Sequence, residues 1–141
     1  MTTPVPKPLA AVLAGRTPAG VLTWPAGRAA AEAVELARDA GWRATLLDLR
    51  RVADKPAFMD ACARALHLPS WFGRNWDALA DCLRDLSWCP TEAGRLLAVR
   101  GWQDYAKAEP GEWALWEGVL VEAVAYWRDT PTGLAVVLAR E

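Results

Sequence analysis

LPSWFGRNWDALADCLRDL, residues 68–86, is where the chain passes from loop to helix. Pro69, Ser70 and Gly73 make the first part a turn-rich loop carrying two adjacent aromatics, Trp71 and Phe72. Asn75 is suited to cap a helix, because its side-chain oxygen accepts from a backbone N–H of the first turn. Leu79, Cys82, Leu83 and Leu86 then recur at i, i+3, i+4 and i+7 as one apolar stripe. Asp77, Asp81 and Arg84 fall on the opposite side. The stretch predicts an exposed aromatic loop beside a helix face with two aspartates. That face reads either as a binding surface for something basic or as the solvated side of a helix.

Outward from it, strands and helices alternate. Upstream, residues 20–24 (GVLTW) and 43–49 (RATLLDL) read as strands, and 28–40 and 55–66 as helices. Gly41 suits a helix-terminating position, Asp54 an N-cap, and Pro56 a first turn. Downstream, residues 95–100 and 134–139 are strands. A short helix or turn at 102–108 and a longer helix from Pro110 lie between them, with Trp113, Trp116, Leu120, Ala123, Val124 and Trp127 on its apolar side. The order β α β α α β α α β implies parallel crossovers and an α/β layered fold. The run Thr45, Leu46, Leu47 suits a parallel strand covered on both faces. Residues 1–19, rich in Pro, Ala and Gly, read as a poorly ordered tail.

With 141 residues the chain is long enough for one domain with a core needing neither disulfides nor metal. Nine tryptophans are many for this length and are expected in the core and at interfaces. The net charge of −1 argues against direct nucleic-acid binding. No run of 18 apolar residues exists, so no membrane span is expected. The proline-rich, weakly charged start does not fit a signal peptide. Cys62, Cys82 and Cys89 form an odd set best read as free thiols in a reducing, cytoplasmic setting.

Catalysis finds little support. The single histidine, His67, reads as a helix-terminal residue, and Ser70 beside it lacks triad geometry. Neither a phosphate-binding glycine loop nor a zinc-ligand pattern is present, and no cofactor is expected. Asp77 has a structural explanation, since a carboxylate in the first turn is favoured by the helix dipole. Asp81 has none, because Asp is a mediocre mid-helix residue. Trp71 and Trp76 are either folded onto the core or offered to a ligand.

Residues 68–83, LPSWFGRNWDALADCL, resemble the barstar family of ribonuclease inhibitors. The resemblance extends over about residues 44–139, with RLLAVRGW similar to the family's second strand and LAVVLA to its third. It implies a small parallel sheet of three strands flanked by helices. Residues 20–43 would then add a further βα unit, placing a fourth strand at an edge of the sheet in a single domain spanning 20–141. It also implies a protein that is not an enzyme but blocks the active site of a cognate secreted-type ribonuclease, 1:1. Carried over, Trp71 matches the loop aromatic that stacks into the enzyme's site, and Phe72 and Gly73 keep the loop's shape. Asn75, Asp77 and Asp81 match the helix positions that meet the enzyme's basic groups. Carboxylates there would imitate RNA phosphates.

Four positions depart from the family. Ala80 stands where a Trp is usual, Trp76 where Leu is frequent, and Arg74 where an acid is common; Arg84 lies on the same face. The family also uses a Glu from its last long helix. Tyr126 falls near that position here, with Glu122 a turn earlier and Asp129 beyond. These departures leave two alternatives open: an immunity or regulatory protein for a different toxin, and a hydrolase using Asp77 and Asp81.

Overall fold

The structure, a computed structural model, describes residues 6–141. Its elements are α1 (Lys7–Leu13), β1 (Val21–Thr23), α2 (Ala30–Asp39), β2 (Arg43–Asp48), α3 (Lys55–Ala65), α4 (Trp76–Asp85), β3 (Gly94–Arg100), α5 (Gln103–Ala108), α6 (Pro110–Arg128) and β4 (Gly133–Leu138). All pairings are parallel, in the order β1-β4-β3-β2. The α/β fold with a parallel sheet therefore forms as the sequence predicts, with the added N-terminal strand at one edge. No helix among the described residues is long and apolar enough to cross a membrane.

Period-2 alternation along the strands divides the core into two layers. Leu47, Leu97, Val99, Leu134 and Val136 face α3, α4, α5 and α6, where they join Phe58, Leu79, Cys82, Tyr105 and Trp116. Ala44, Leu96, Ala98, Ala135 and Val137 face the other way and join Ala30, Ala33 and Ala37 of α2. Thr45 and Leu46 are only half-buried, because β2 is the second edge strand.

One sequence expectation is corrected. The segment read as a poorly ordered tail forms α1 over Lys7–Leu13, with Leu9 and Val12 buried in the small-residue layer. A seven-residue helix is marginal by itself. Burying two aliphatic side chains, each contributing roughly 1.5–3 kcal/mol, is what holds it. The first part of the expected tail, positions 1–5, lies outside the described residues.

Local signals set the element ends. Asp54 accepts from the Ala57 N–H at 2.9 Å and starts α3. Gly41 follows α2 at φ +84°, a conformation that favours glycine. Gly101, at φ +65°, leaves β3 against Arg50, and a Cβ there would lie 2.8 Å from the Arg50 backbone nitrogen.

Candidate functional site

The site grows out of the loop between α3 and α4. The Leu68 N–H donates to the Ala63 carbonyl at 2.9 Å, and the Phe72 N–H to the Pro69 carbonyl at 3.0 Å, closing a turn. Phe72 is buried in the core and pins this turn. Its neighbour Trp71 cannot follow it inward and stands 66% exposed. The Trp71 ring meets Trp88 edge-on at 6.4 Å, and the Trp88 indole N–H is itself anchored on the Leu66 carbonyl at 3.1 Å. Trp71 thus rests on a fixed neighbour while presenting most of its surface to solvent. Trp88 is a member of the site that the sequence reading missed; its place in a loop after α4 gave no periodic signal.

Gly73 and Arg74 carry the chain to the helix. Arg74 sits at φ +55°, a left-handed conformation uncommon for a non-glycine residue. Its guanidinium pairs with Asp60 of α3, which ties the loop down. Asn75 caps α4: its Oδ1 accepts from the Ala78 N–H at 2.8 Å, and its Nδ2 donates to the Gly73 carbonyl at 3.3 Å.

On α4, Leu79, Cys82 and Leu83 are buried, while Asp77 and Asp81 are exposed. Four residues apart on one helix, the two carboxylates are neighbours about one turn apart. Asp77 has no ion pair among the described residues. The Asp81 carboxylate, on a 73% exposed side chain, accepts from Arg84 Nη2 at 2.6 Å. Burial raises the Cys82 thiol above its ordinary range, and the nearby Asp85 and Asp81 carboxylates push it further the same way. The thiol under this face therefore stays protonated and unreactive near neutral pH.

Trp76 does not stand free beside Trp71. It is half-buried, its ring lies 5.3 Å from Phe58 and 6.4 Å from Trp116, and its indole N–H donates to Glu112 of α6 at 2.6 Å. Ala80 is also half-buried, against the main core. At the other end of α4, the Trp127 indole N–H donates to the Leu83 carbonyl at 2.6 Å. Two tryptophans of opposite helices thus fasten α4 to α6. Tyr126 stands 49% exposed next to Trp127, edge-on to it at 5.3 Å. Glu122 and Asp129 are exposed on the same helix and its cap.

Among the described residues the arrangement presents acids and the aromatics Trp71 and Tyr126 to solvent, and no nucleophile or base converges on them. His67 ends α3 at φ +51° and lines a separate cavity. Cys62, Cys82 and Cys89 are free thiols.

A search of curated proteins finds no match to the chain. A family profile described as Barstar (barnase inhibitor) matches residues 42–139. That span holds every element from β2 to β4 together with the loop and α4, and leaves α1, β1 and α2 outside. A match over well over half of the 141 residues, on a parallel sheet flanked by helices, means that the chain belongs to the barstar family.

Proposed function

We propose that this protein is a cytoplasmic inhibitor that binds a secreted-type ribonuclease 1:1 and covers its active site with Trp71 and the Asp77–Asp81 face of α4. It acts as a binding protein, without turnover or cofactor. The observation that carries this reading is the exposed Trp71 beside a capped, rigidly packed helix whose two outward carboxylates lie one turn apart. A ribonuclease site holds phosphate with Arg, Lys and His, and preorganised carboxylates substitute for phosphate oxygens with charge-assisted hydrogen bonds. Their charge also accelerates encounter.

The Arg84 pair bears on how binding proceeds. An exposed ion pair is worth about 0–1 kcal/mol. A basic group of the partner can therefore take Asp81 from Arg84 at small cost. Asp81 is the central contact, followed by Asp77 and Trp71. Truncating one member of a buried charge pair weakens binding by roughly 2–5 kcal/mol. Titration calorimetry of Asp81→Ala against the cognate ribonuclease is expected to show a loss in that range, with the fold intact by circular dichroism. An unchanged affinity would remove α4 from the interface.

Ala80 and the Asp81–Arg84 pair favour a second reading, in which the same fold serves a different toxin. Both remove features that the family's usual partner meets. Affinity capture with the wild-type chain, compared with Asp81→Ala, separates the two by the identity of the protein retained.

A further inference from the structure

A cavity of about 180 Å³ opens where β2, β3 and β4 begin, beneath the C-terminal ends of α3 and α4. It lies apart from Trp71 and from the outward acids of α4. Its wall is divided by chemistry. Leu66, Leu83, Leu86, Leu97 and Leu134 make an apolar interior. Arg38, Arg43 and Arg95, with His67, bring basic groups to the same cavity, and no carboxylate is among the residues that line it.

The positive charge there is only partly answered by the protein. Arg95 is 9% exposed and lies over the Trp127 ring, with its guanidinium carbon 4.5 Å from the centroid. Its Nε donates to the Cys89 carbonyl at 2.8 Å and its Nη2 to the Leu86 carbonyl at 3.2 Å. Its Nη1 is buried without a hydrogen-bond partner among the described residues. Arg38 donates to the Ala44 carbonyl at 3.1 Å. Arg43 is exposed and has no ion pair among the described residues. Two helix C-termini contribute roughly half a negative charge each. Against three guanidinium charges this leaves an excess of about two. Burial lowers the affinity of Arg95 for its proton, and the Arg43 charge lowers it further, although the nearby Cys89 acts the other way. An anion between Arg43 and Arg95 would relieve that repulsion.

We infer that this cavity binds a small amphiphilic anion, a carboxylate head held by Arg43 and Arg95 with a short aliphatic chain lying against Leu83, Leu97 and Leu134. Arginine suits the head because its planar fork meets a carboxylate with two parallel hydrogen bonds. The leucines suit the chain, since each methylene removed from water contributes about 0.8 kcal/mol. The volume sets the size. It falls below the roughly 300–1,000 Å³ of most ligand pockets, which excludes a nucleotide and admits a chain of a few carbons.

The test uses the full chain with leucine methyls observed by NMR while hexanoate is added, with hexanol and inorganic phosphate as comparison probes. Hexanoate is expected to shift the Leu83, Leu97 and Leu134 methyls saturably. Hexanol and phosphate are expected to bind at least ten-fold more weakly. Arg43→Gln, at an exposed site, is expected to keep the native spectrum and weaken hexanoate at least five-fold. The inference is overturned if those methyls show no saturable shift, if hexanol or phosphate binds as well as hexanoate, or if Arg43→Gln leaves the affinity unchanged.

Discussion

On the face of the sheet that carries α4, Leu47, Leu97, Val99 and Val136 meet Phe58, Trp113 and Trp116. On the other face, Ala44, Ala98 and Ala135 meet Ala30, Ala33 and Ala37. The first layer is filled by large side chains that interlock. Phe58 stacks on Tyr105 at 5.2 Å and meets Trp116 edge-on at 5.1 Å, while Trp102 stacks on Trp113 at 5.2 Å. Indole N–H groups then bridge elements, from Trp76 to Glu112 and from Trp127 to Leu83. The second layer also buries Trp24, Leu9 and Leu96, but where α2 meets the strands it is lined by alanines, which let the helix lie close to the sheet. The difference teaches where precision is placed. The proposed binding helix is held by shape and by directed hydrogen bonds, whereas the N-terminal layer is held by close approach.

Opposite substitutions should therefore damage the two layers. The largest loss is expected from Trp116→Ala, which empties a fully buried site in the aromatic layer. Urea unfolding should show a loss of about 3–5 kcal/mol, as for other buried aromatic truncations. Enlarging the alanine layer comes next. Ala98→Leu, at a residue with no exposed surface, should cost roughly 1–3 kcal/mol by overpacking. If α2 moves outward without loss of stability, the close-approach account of that layer is wrong.

Smaller effects sharpen the picture of α4 itself. Asn75→Ala removes the hydrogen bond to the Ala78 N–H and should cost about 1 kcal/mol in the same assay. Tyr105→Phe tests the polar side of the aromatic layer. The Tyr105 hydroxyl is buried without a hydrogen-bond partner among the described residues. Burial, with Glu112 and Glu109 adding to it, raises this phenol from 10.0 to about 12. Below pH 10 the folded and unfolded chains both keep it protonated. Between pH 10 and 12 only the unfolded chain ionises, so stability falls as pH rises through that window. Tyr105→Phe should remove that part of the alkaline loss and leave stability at pH 7 unchanged or slightly higher. An unaltered alkaline profile would assign the loss to other groups.

Much of α4 could be read before its neighbours were known. The step from Leu79 to Cys82, Leu83 and Leu86 selects one face, and that face is the buried one. Asn75 caps the helix, and Asp77 and Asp81 point outward, as their spacing requires. The partners of the polar groups could not be read in the same way. Asp81 turns to Arg84 three residues on, but Arg74 turns to Asp60, fourteen residues back, and Trp76 to Glu112, thirty-six residues on. No periodicity links residues so far apart. The pair Trp71 and Phe72 shows the same limit. Both are aromatic and adjacent, yet one is buried and the other exposed, because the Pro69 turn points only one of them at the core.

The sequence by itself determined the alternation of strands and helices, the parallel sheet they imply, the capped helix and its acidic outer face. Those follow from local rules: periodicity, capping and the order of strands and helices along the chain. Only the tertiary structure decided that Leu9 and Val12 make a helix of the presumed tail, that Trp76 packs against the core while Trp71 stays outside, and that Arg43 and Arg95 share one cavity. Each of these depends on what distant segments place opposite a side chain. A seven-residue helix or a guanidinium has no fixed role until its burial and its partners are set.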